Sequence, residues 1–363
     1  MEGYQGTVIG GAHLDRLREV SIPELGSSPF DVGVSCRGIV RGMPLSEKKL
    51  INQIRRMARA RASQSVRTGI GDDCAVLRVP PGNDLLVTTD FTIEKVHFRR
   101  DWHRPELVGR RCLTRGLSDI AAMGGKPQAA FLSLAVPSDL PQKWVDRFLR
   151  GLLDLAEEFK LPLAGGDTAE SAGGGGIQAD IVVVGSVPKG KAVLRSGANP
   201  GERIYVTGEL GGSAAALARL MESKPVGAGY FRDFRPQARV AVGQSLRRRG
   251  VASAMIDLSD GLSTDLEHIC QESHVGAEIE AEAIPRAQVG VGKKRVGLEF
   301  ALHGGDDYEL LFTSAKAVPA QVEGVRVTRI GRTTRSAGMR LIAPDGKQQP
   351  LQAGGWEHFK GNS

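Results

Sequence analysis

Six short acidic segments hold the side chains best suited to chemistry: Gly71-Asp72-Asp73, Thr88-Thr89-Asp90, Ser118-Asp119, Gly165-Gly166-Asp167-Thr168, Asp257-Leu258-Ser259-Asp260-Gly261 and Gly304-Gly305-Asp306-Asp307-Tyr308-Glu309. Several follow apolar, strand-like runs such as Asp84-Leu85-Leu86-Val87 and Ser253-Ala254-Met255-Ile256. In open α/β folds, strand ends are where ligand sites lie. If the segments converge, two carboxylates about 4 Å apart repel by about 4 kcal/mol at an effective dielectric near 20. A whole domain is stable by only about 5–15 kcal/mol. A converging set therefore calls for cations, and small oxygen ligands favour Mg²⁺, which commonly sits with phosphate.

No Gly-x-x-x-x-Gly-Lys-[Ser/Thr] loop is present, since Gly290-Val291-Gly292-Lys293-Lys294 lacks the spacing and the hydroxyl. The protein-kinase motifs are missing as well. A bound nucleoside triphosphate would thus be held mainly through metals. That suffices for phosphoryl transfer, which depends on positioning and charge neutralisation, with metal ions stabilising the attacking and leaving oxygens. Taken singly, each segment reads as a helix cap or a turn. Their joint placement at predicted strand and helix ends points to a site.

The elements that must position them alternate. A helix opens near Ser46, with Leu50, Ile51, Ile54 and Met57 as its buried stripe. Strands are predicted at Cys74–Val79, Leu85–Thr89, Ala129–Val136, Leu161–Ala164 and Ile177–Val187, with helices at Pro105–Met123 and Trp144–Phe159. The run Gly173–Gly176 reads as a turn without chemistry. A boundary is expected near Arg195–Gly201. Beyond it come a strand at Arg203–Thr207, helices at Ala214–Met221, Pro236–Arg248 and Asp260–Gln271, and a strand at Tyr308–Thr313. The reading is α/β, with an extension over 1–42, a first domain over 43–195 and a second over 196–363. The extension is expected to be poorly ordered, and Met43 is a second candidate start.

The 363 residues are 41% hydrophobic and 25% charged, which fits a globular protein with a sizeable core. Aromatic content of 5% argues against a base-stacking nucleic-acid platform. The net charge of +7 is concentrated in stretches such as Lys48–Arg61 and Arg247–Arg249, read as solvated helix faces or as attraction for anionic substrates. Cys36, Cys74, Cys112 and Cys270 form no Cys-x-x-Cys pair, so a zinc site is not expected and reduced cytoplasmic thiols are. No run is long enough to span a bilayer, and no secretory signal is evident.

Together these residues resemble the thiamine-monophosphate kinase family of the aminoimidazole ribonucleotide synthetase-like superfamily. The matching stretches are Ile70–Asp73, Thr88–Asp90 with His97-Phe98, Leu117–Gly124, Gly165–Thr168, Arg195–Ala198, Tyr205–Gly208, Ile256–Leu262, Gly304–Leu310 and Trp356–Phe359, in the family's order from about residue 43 onward. The resemblance implies two α/β domains with the active site in the cleft between them, a homodimer, and several Mg²⁺ ions. It implies direct in-line transfer of the ATP γ-phosphoryl group to thiamine monophosphate, with no side-chain nucleophile. By position, Asp73, Thr88, Thr89, Asp90, Asp119, Asp167, Asp257 and Asp260 would hold Mg²⁺, with Asp90, Asp119 and Asp257 central to the metal-held phosphates. Gly166, Asp167, Arg195 and Ser259 would meet ATP, Arg195 through its guanidinium fork. His97, Asp306 and Trp356 would meet the acceptor, Trp356 by stacking on a cationic thiazolium.

Asp306 departs from the Glu usual in the family, keeping the charge with one methylene less reach. Cys74 replaces a small residue, with little consequence expected. The alternatives are another ATP-using enzyme of the superfamily (selenophosphate synthetase-like or purine-pathway) and a non-catalytic nucleotide-binding protein. Cys36 lacks the neighbouring Lys that the selenophosphate reading wants.

Overall fold

The computed structural model describes residues 47–58, 65–70, 74–171, 175–224, 226–230 and 234–356. The expectations for Asp72, Asp73, Ser46, Cys36, the 1–42 extension and half of the Gly173–Gly176 run lie outside the described residues.

The first half runs α1 (Glu47–Ala58), β1 (Val66–Thr68), β2 (Val76–Leu77), β3 (Asn83–Ile93), α2 (Pro105–Ala122), β4 (Lys126–Val136), α3 (Gln142–Glu158), β5 (Leu163–Glu170) and β6 (Gln178–Pro188). Then come β7 (Arg203–Thr207), α4 (Gly212–Met221), α5 (Val240–Arg248), β8 (Ala254–Asp257), α6 (Leu262–Ser273) and β9 (Gly276–Glu280). The chain ends with β10 (Gln288–Val289), β11 (Lys294–Arg295), α7 (Leu298–His303), β12 (Leu310–Ser314), β13 (Gln321–Val322), β14 (Val325–Thr334), β15 (Met339–Ile342) and β16 (Gln348–Leu351).

Two sheets dominate. The four-stranded sheet has the order β3-β6-β4-β5, and the larger one β16-β15-β9-β14-β7-β12-β8 with β13 on β14. Within these two sheets the pairings are antiparallel except β4 with β5 and β15 with β9. The fold is therefore mixed α/β with antiparallel sheets, and its acidic residues are not confined to the carboxyl ends of parallel strands.

Several sequence expectations change. Thr88, Thr89 and Asp90 lie inside β3, which is longer than the predicted strand because it pairs with β6 over its whole length. Gly165–Thr168 lies within β5 and is not a loop, since its backbone pairs with β4. Asp119 lies in the last turn of α2, where the predicted Pro105–Met123 helix put it. The predicted Cys74–Val79 strand contracts to Val76–Leu77, and the helix predicted from Pro236 starts at Val240.

Helix α2 is the hub. Pro105 opens it, where the missing N–H costs nothing. It crosses α3 at backbone contact distance: a Cβ on Gly109 would stand 2.0 Å from the Phe148 carbonyl oxygen, and one on Gly151 1.9 Å from that of Glu106. Val108, Leu113, Leu117 and Ile120 of α2 share one core with Phe148 and Leu152 of α3 and Ile181 and Val183 of β6. The same core takes Tyr205, Met255, Leu310 and Phe312 from the larger sheet, together with Val242 and Leu246 of α5. The alternate residues Ile204, Val206, Ile256 and Leu311 face a second core with Leu266 and Ile269 of α6. Period-two alternation thus seats the larger sheet between two helical layers, with α2 packed against both sheets.

Candidate active site

Spacing along α2 builds the centre of the site. Arg111, Arg115 and Asp119 follow at intervals of four, which places them on one face of the helix. Asp119 meets β3, where the Thr88 hydroxyl donates to its carboxylate. Arg115 meets the same strand one pleat on, its Nε donating to Asp90 Oδ1 at 2.8 Å. Asp257, at the end of β8, is buried close enough to Asp119 and Asp90 to feel both charges.

These carboxylates sit against their own interest. Burial, and then the neighbouring Asp119 charge, push the Asp257 carboxyl up to about 7. Burial raises Asp119 despite the Thr88 hydroxyl, and raises Asp90 despite Arg115. Arg195, in the turn Arg195–Gly197, is near enough to both Asp119 and Asp257 to offset part of the repulsion. The donor set is all oxygen and its negative charge is only partly compensated, which fits a hard divalent cation such as Mg²⁺.

The loop after β8 adds the next pair. Ser259 and Asp260 precede α6, and the Asp265 carboxylate accepts the amides of Asp260 (3.2 Å) and Gly261 (3.1 Å), pinning the loop. The Ser259 carbonyl oxygen accepts the Asp306 amide at 2.8 Å, joining this loop to the Gly304–Glu309 segment. Asp306 itself has the left-handed φ of 65°. Its carboxylate accepts from Arg111, and from the Tyr308 hydroxyl at 2.6 Å. Burial alone would raise it, but Arg111 and Arg115 outweigh burial and hold it below the ordinary carboxylate range.

Beside this pair opens a cavity of about 380 Å³ whose lining includes His97, Arg111, Arg115, Ser259, Asp306 and Trp356. All three sequence-predicted acceptor residues therefore reach one pocket. Trp356 is 53% exposed, which excludes core packing as its role, and its amide is fixed to the Asp260 carbonyl oxygen at 3.1 Å. His97 Nδ1 accepts the Ile93 amide at 2.9 Å, so its ring is anchored to the end of β3. Trp102 and Phe234 add apolar surface to the same cavity.

Two predicted metal ligands lie elsewhere. Thr89 alternates with Thr88 and Asp90, so its side chain leaves by the opposite face of the sheet and donates to Asp180 at 2.6 Å. Asp167 pairs in register with Ser133, and Ser133 with Asp180, which places it on that same outer face. Gly166 is pressed against β4, where a Cβ would stand 1.8 Å from the Leu132 carbonyl oxygen. The expectation that all the acidic segments meet at one point is corrected accordingly: Thr88, Asp90, Asp119 and Asp257 gather on the helix side, and Thr89 and Asp167 on the other.

Arg111 and Arg115 were missed as site residues. Their signal was present in the sequence, as basic residues four and eight positions before Asp119 on a helix already predicted. The buried Cys112 and Cys270 thiols are pushed up to about 12 by burial, so neither is a nucleophile.

Comparison with known proteins bears on this geometry. Residues 71–187 match the family described as AIR synthase related protein, N-terminal domain, and residues 199–343 its C-terminal domain. The fold and its acidic crevice thus define an AIR synthase-related protein. The thiamine-monophosphate kinase of Salmonella typhimurium is 38% identical over 316 residues, covering 83% of this chain and 95% of its own. A crystal structure of thiamine-monophosphate kinase from Stenotrophomonas maltophilia K279a superposes with a TM-score of 0.72 at 33% identity, over 84% of this chain and 98% of that one. AaThiL complexed with AMPPCP and TMP superposes with a TM-score of 0.67 at 33% identity, over 86% and 97%. Within the AIR synthase-related proteins, the chain belongs to the thiamine-monophosphate kinase family.

Proposed function

We propose that the protein transfers the γ-phosphoryl group of ATP to thiamine monophosphate, giving thiamine diphosphate and ADP. One observation carries the reading: the Ser259–Asp306 backbone bond joins a carboxylate cluster, buried at Asp257 and half-buried at Asp90 and Asp119 and short of cations, to a pocket lined by His97, Asp306 and Trp356. The first half suits metal-held phosphates and the second an acceptor with an aromatic, cationic ring. Its relatives' shared identity as thiamine-monophosphate kinases supports the same assignment.

In this reading Asp90, Asp119 and Asp257, with Thr88 and Asp260, hold Mg²⁺, and Asp73 joins them from outside the described residues. Bound Mg²⁺ would supply charge neutralisation of the phosphates. Arg195 and Ser259 position ATP. Thr89 and Asp167, beside Asp180, serve a separate ion on the outer face, where Gly166 lets the backbone approach ATP. Trp356 stacks on the acceptor, while His97 and Asp306 orient its phosphate end. No side chain is asked to act as a nucleophile.

The protein is further proposed to be a homodimer of the cytoplasm. The outer face of β3 exposes Leu85 (49%), Val87 (63%) and Phe91 (56%), an apolar stripe that a second copy would cover. Among the described residues no helix is long and apolar enough to cross a membrane. The deciding experiment measures ADP and thiamine diphosphate formed from ATP and thiamine monophosphate, with and without Mg²⁺. Product that needs all three components is the expected result. ADP release indifferent to thiamine monophosphate would defeat the proposal.

A further inference from the structure

Arg115 is bound at once to both halves of the site. Its Nε donates to Asp90 Oδ1 at 2.8 Å, and its Nη1 lies 3.6 Å from Asp306 Oδ1. Asp90 belongs to β3 and Asp306 to the loop before β12, so one guanidinium spans the two sheets. The side chain is 14% exposed and lines the acceptor cavity.

Asp306 does not rely on it alone. Arg111 already pairs with Asp306 Oδ2, and the Tyr308 hydroxyl already donates to Oδ1. Asp90 stands in the opposite situation. Among the described residues Arg115 is the only cation recorded in an ion pair with it, while Asp306 and Asp180 add repulsion. A carboxylate oxygen engaged by a guanidinium is less available to a metal ion, and two cations on one carboxylate repel each other. Arg115 also keeps N–H groups on the cavity side, where a fork suits a phosphate.

We propose that Arg115 couples metal loading to acceptor binding. It is the resident counter-ion of Asp90, and when a divalent ion takes over that carboxylate its guanidinium turns to the anionic phosphate of the acceptor, beside Arg111 and Asp306. This rests on the reading above, in which Asp90 serves the metal and the cavity takes the acceptor. Metal and acceptor then bind with positive coupling, through a residue that opposes the first and assists the second.

The test uses the full chain as wild type, Arg115→Gln and Arg115→Lys, with melting curves to confirm folding. Mn²⁺ binding in the presence of a non-hydrolysable ATP analogue is followed by the electron paramagnetic resonance of free Mn²⁺. Steady-state ADP release gives KM for thiamine monophosphate and for ATP. Arg115→Gln should bind Mn²⁺ about three- to tenfold more tightly, since a competing cation is gone. Its KM for thiamine monophosphate should rise about tenfold, with KM for ATP changed less than about twofold. Arg115→Lys should shift both in the same directions by less, and it carries the test if the Gln variant does not fold. Weaker Mn²⁺ binding, or no change in Mn²⁺ binding, overturns the proposal, because a purely structural ion pair gives one or the other. Should the wild type not turn over thiamine monophosphate at all, the proposed function fails, and the Mn²⁺ measurement still decides the role of Arg115.

Discussion

The hydroxyls of Thr88 and Thr89 leave β3 by opposite faces: that of Thr88 donates to Asp119 of α2, and that of Thr89 to Asp180 of β6 at 2.6 Å. Two adjacent residues of one motif therefore serve different sides of the sheet. Thr88→Val should raise the Mg²⁺ concentration needed for half-maximal turnover about tenfold or more, because Asp119 loses the donor that orients it. The Mg²⁺ dependence of ADP release measures this, and an unchanged curve would place Asp119 outside the metal set.

Asp90 provides the sharper test. Asp90→Asn keeps the size of the side chain and a partner for Arg115, so the melting temperature should hold. Turnover should fall by about 100-fold or more if the carboxylate holds metal. Near-normal kcat in a folded Asp90→Asn protein would count against the site.

The buried Asp257 makes a prediction about pH. Its carboxyl is raised from 3.8 to about 7, chiefly by burial and then by Asp119. The unfolded chain therefore releases this proton near 3.8, while the metal-free folded chain holds it until about 7. Between those values the native state carries the extra proton, so this group lowers stability as pH rises through the window. Above it the slope ends. Mg²⁺ with an ATP analogue should stabilise more at pH 8 than at pH 6, since ligation needs the ionised carboxylate. Asp257→Asn should flatten both effects in thermal melts taken across pH 5–8.

Glu309 shows a structural constraint inside a motif. Its buried carboxylate accepts from the Thr207 hydroxyl at 2.6 Å and from Arg239 Nε at 2.7 Å, which leaves it little room to move. Gly208 has φ +60°, and a Cβ there would stand 2.0 Å from Glu309 Oε1. Gly208→Ala should cost about 2–4 kcal/mol in urea denaturation, through steric overlap and the left-handed backbone.

The exposed stripe on β3 predicts an assembly. Phe91→Glu, alone or with Val87→Lys, should convert a dimer to a monomer in sedimentation or light scattering. A wild-type protein that sediments as a monomer at micromolar concentration would dispose of that part of the proposal.

How far the sequence reached is clear from particular residues. The helices around Leu113, Leu117, Phe148 and Leu152 were legible because their apolar spacing is helical and all four are buried in one core. Strand β7 was placed at Arg203–Thr207. Strands β9, β14, β15 and β16 went unassigned. In β14 the alternation Val325-Arg326-Val327 is interrupted by an irregular register between Arg329 and Gly331, and β16, Gln-Gln-Pro-Leu, has only one buried residue. Of the site, Asp90, Asp119, Asp257, Asp306 and Trp356 were named by the resemblance, position by position along the family's motifs, since each acidic segment taken singly reads as a cap or a turn.

The order of residues along the chain determined which groups were available: oxygen donors for a hard cation, a guanidinium or two for phosphate, a tryptophan for a cationic ring. It could not determine which of them meet. That was decided by a strand's period of two, which divides Thr88 and Asp90 from Thr89, and by a helix's period of 3.6, which aligns Arg111 and Arg115 with Asp119. It was decided also by the packing of α2 between two sheets, which sets Arg115 between Asp90 and Asp306 although 25 and 191 residues separate it from them. Charges so far apart in the chain come together only because a shared apolar core holds their elements, and no local pattern encodes that distance.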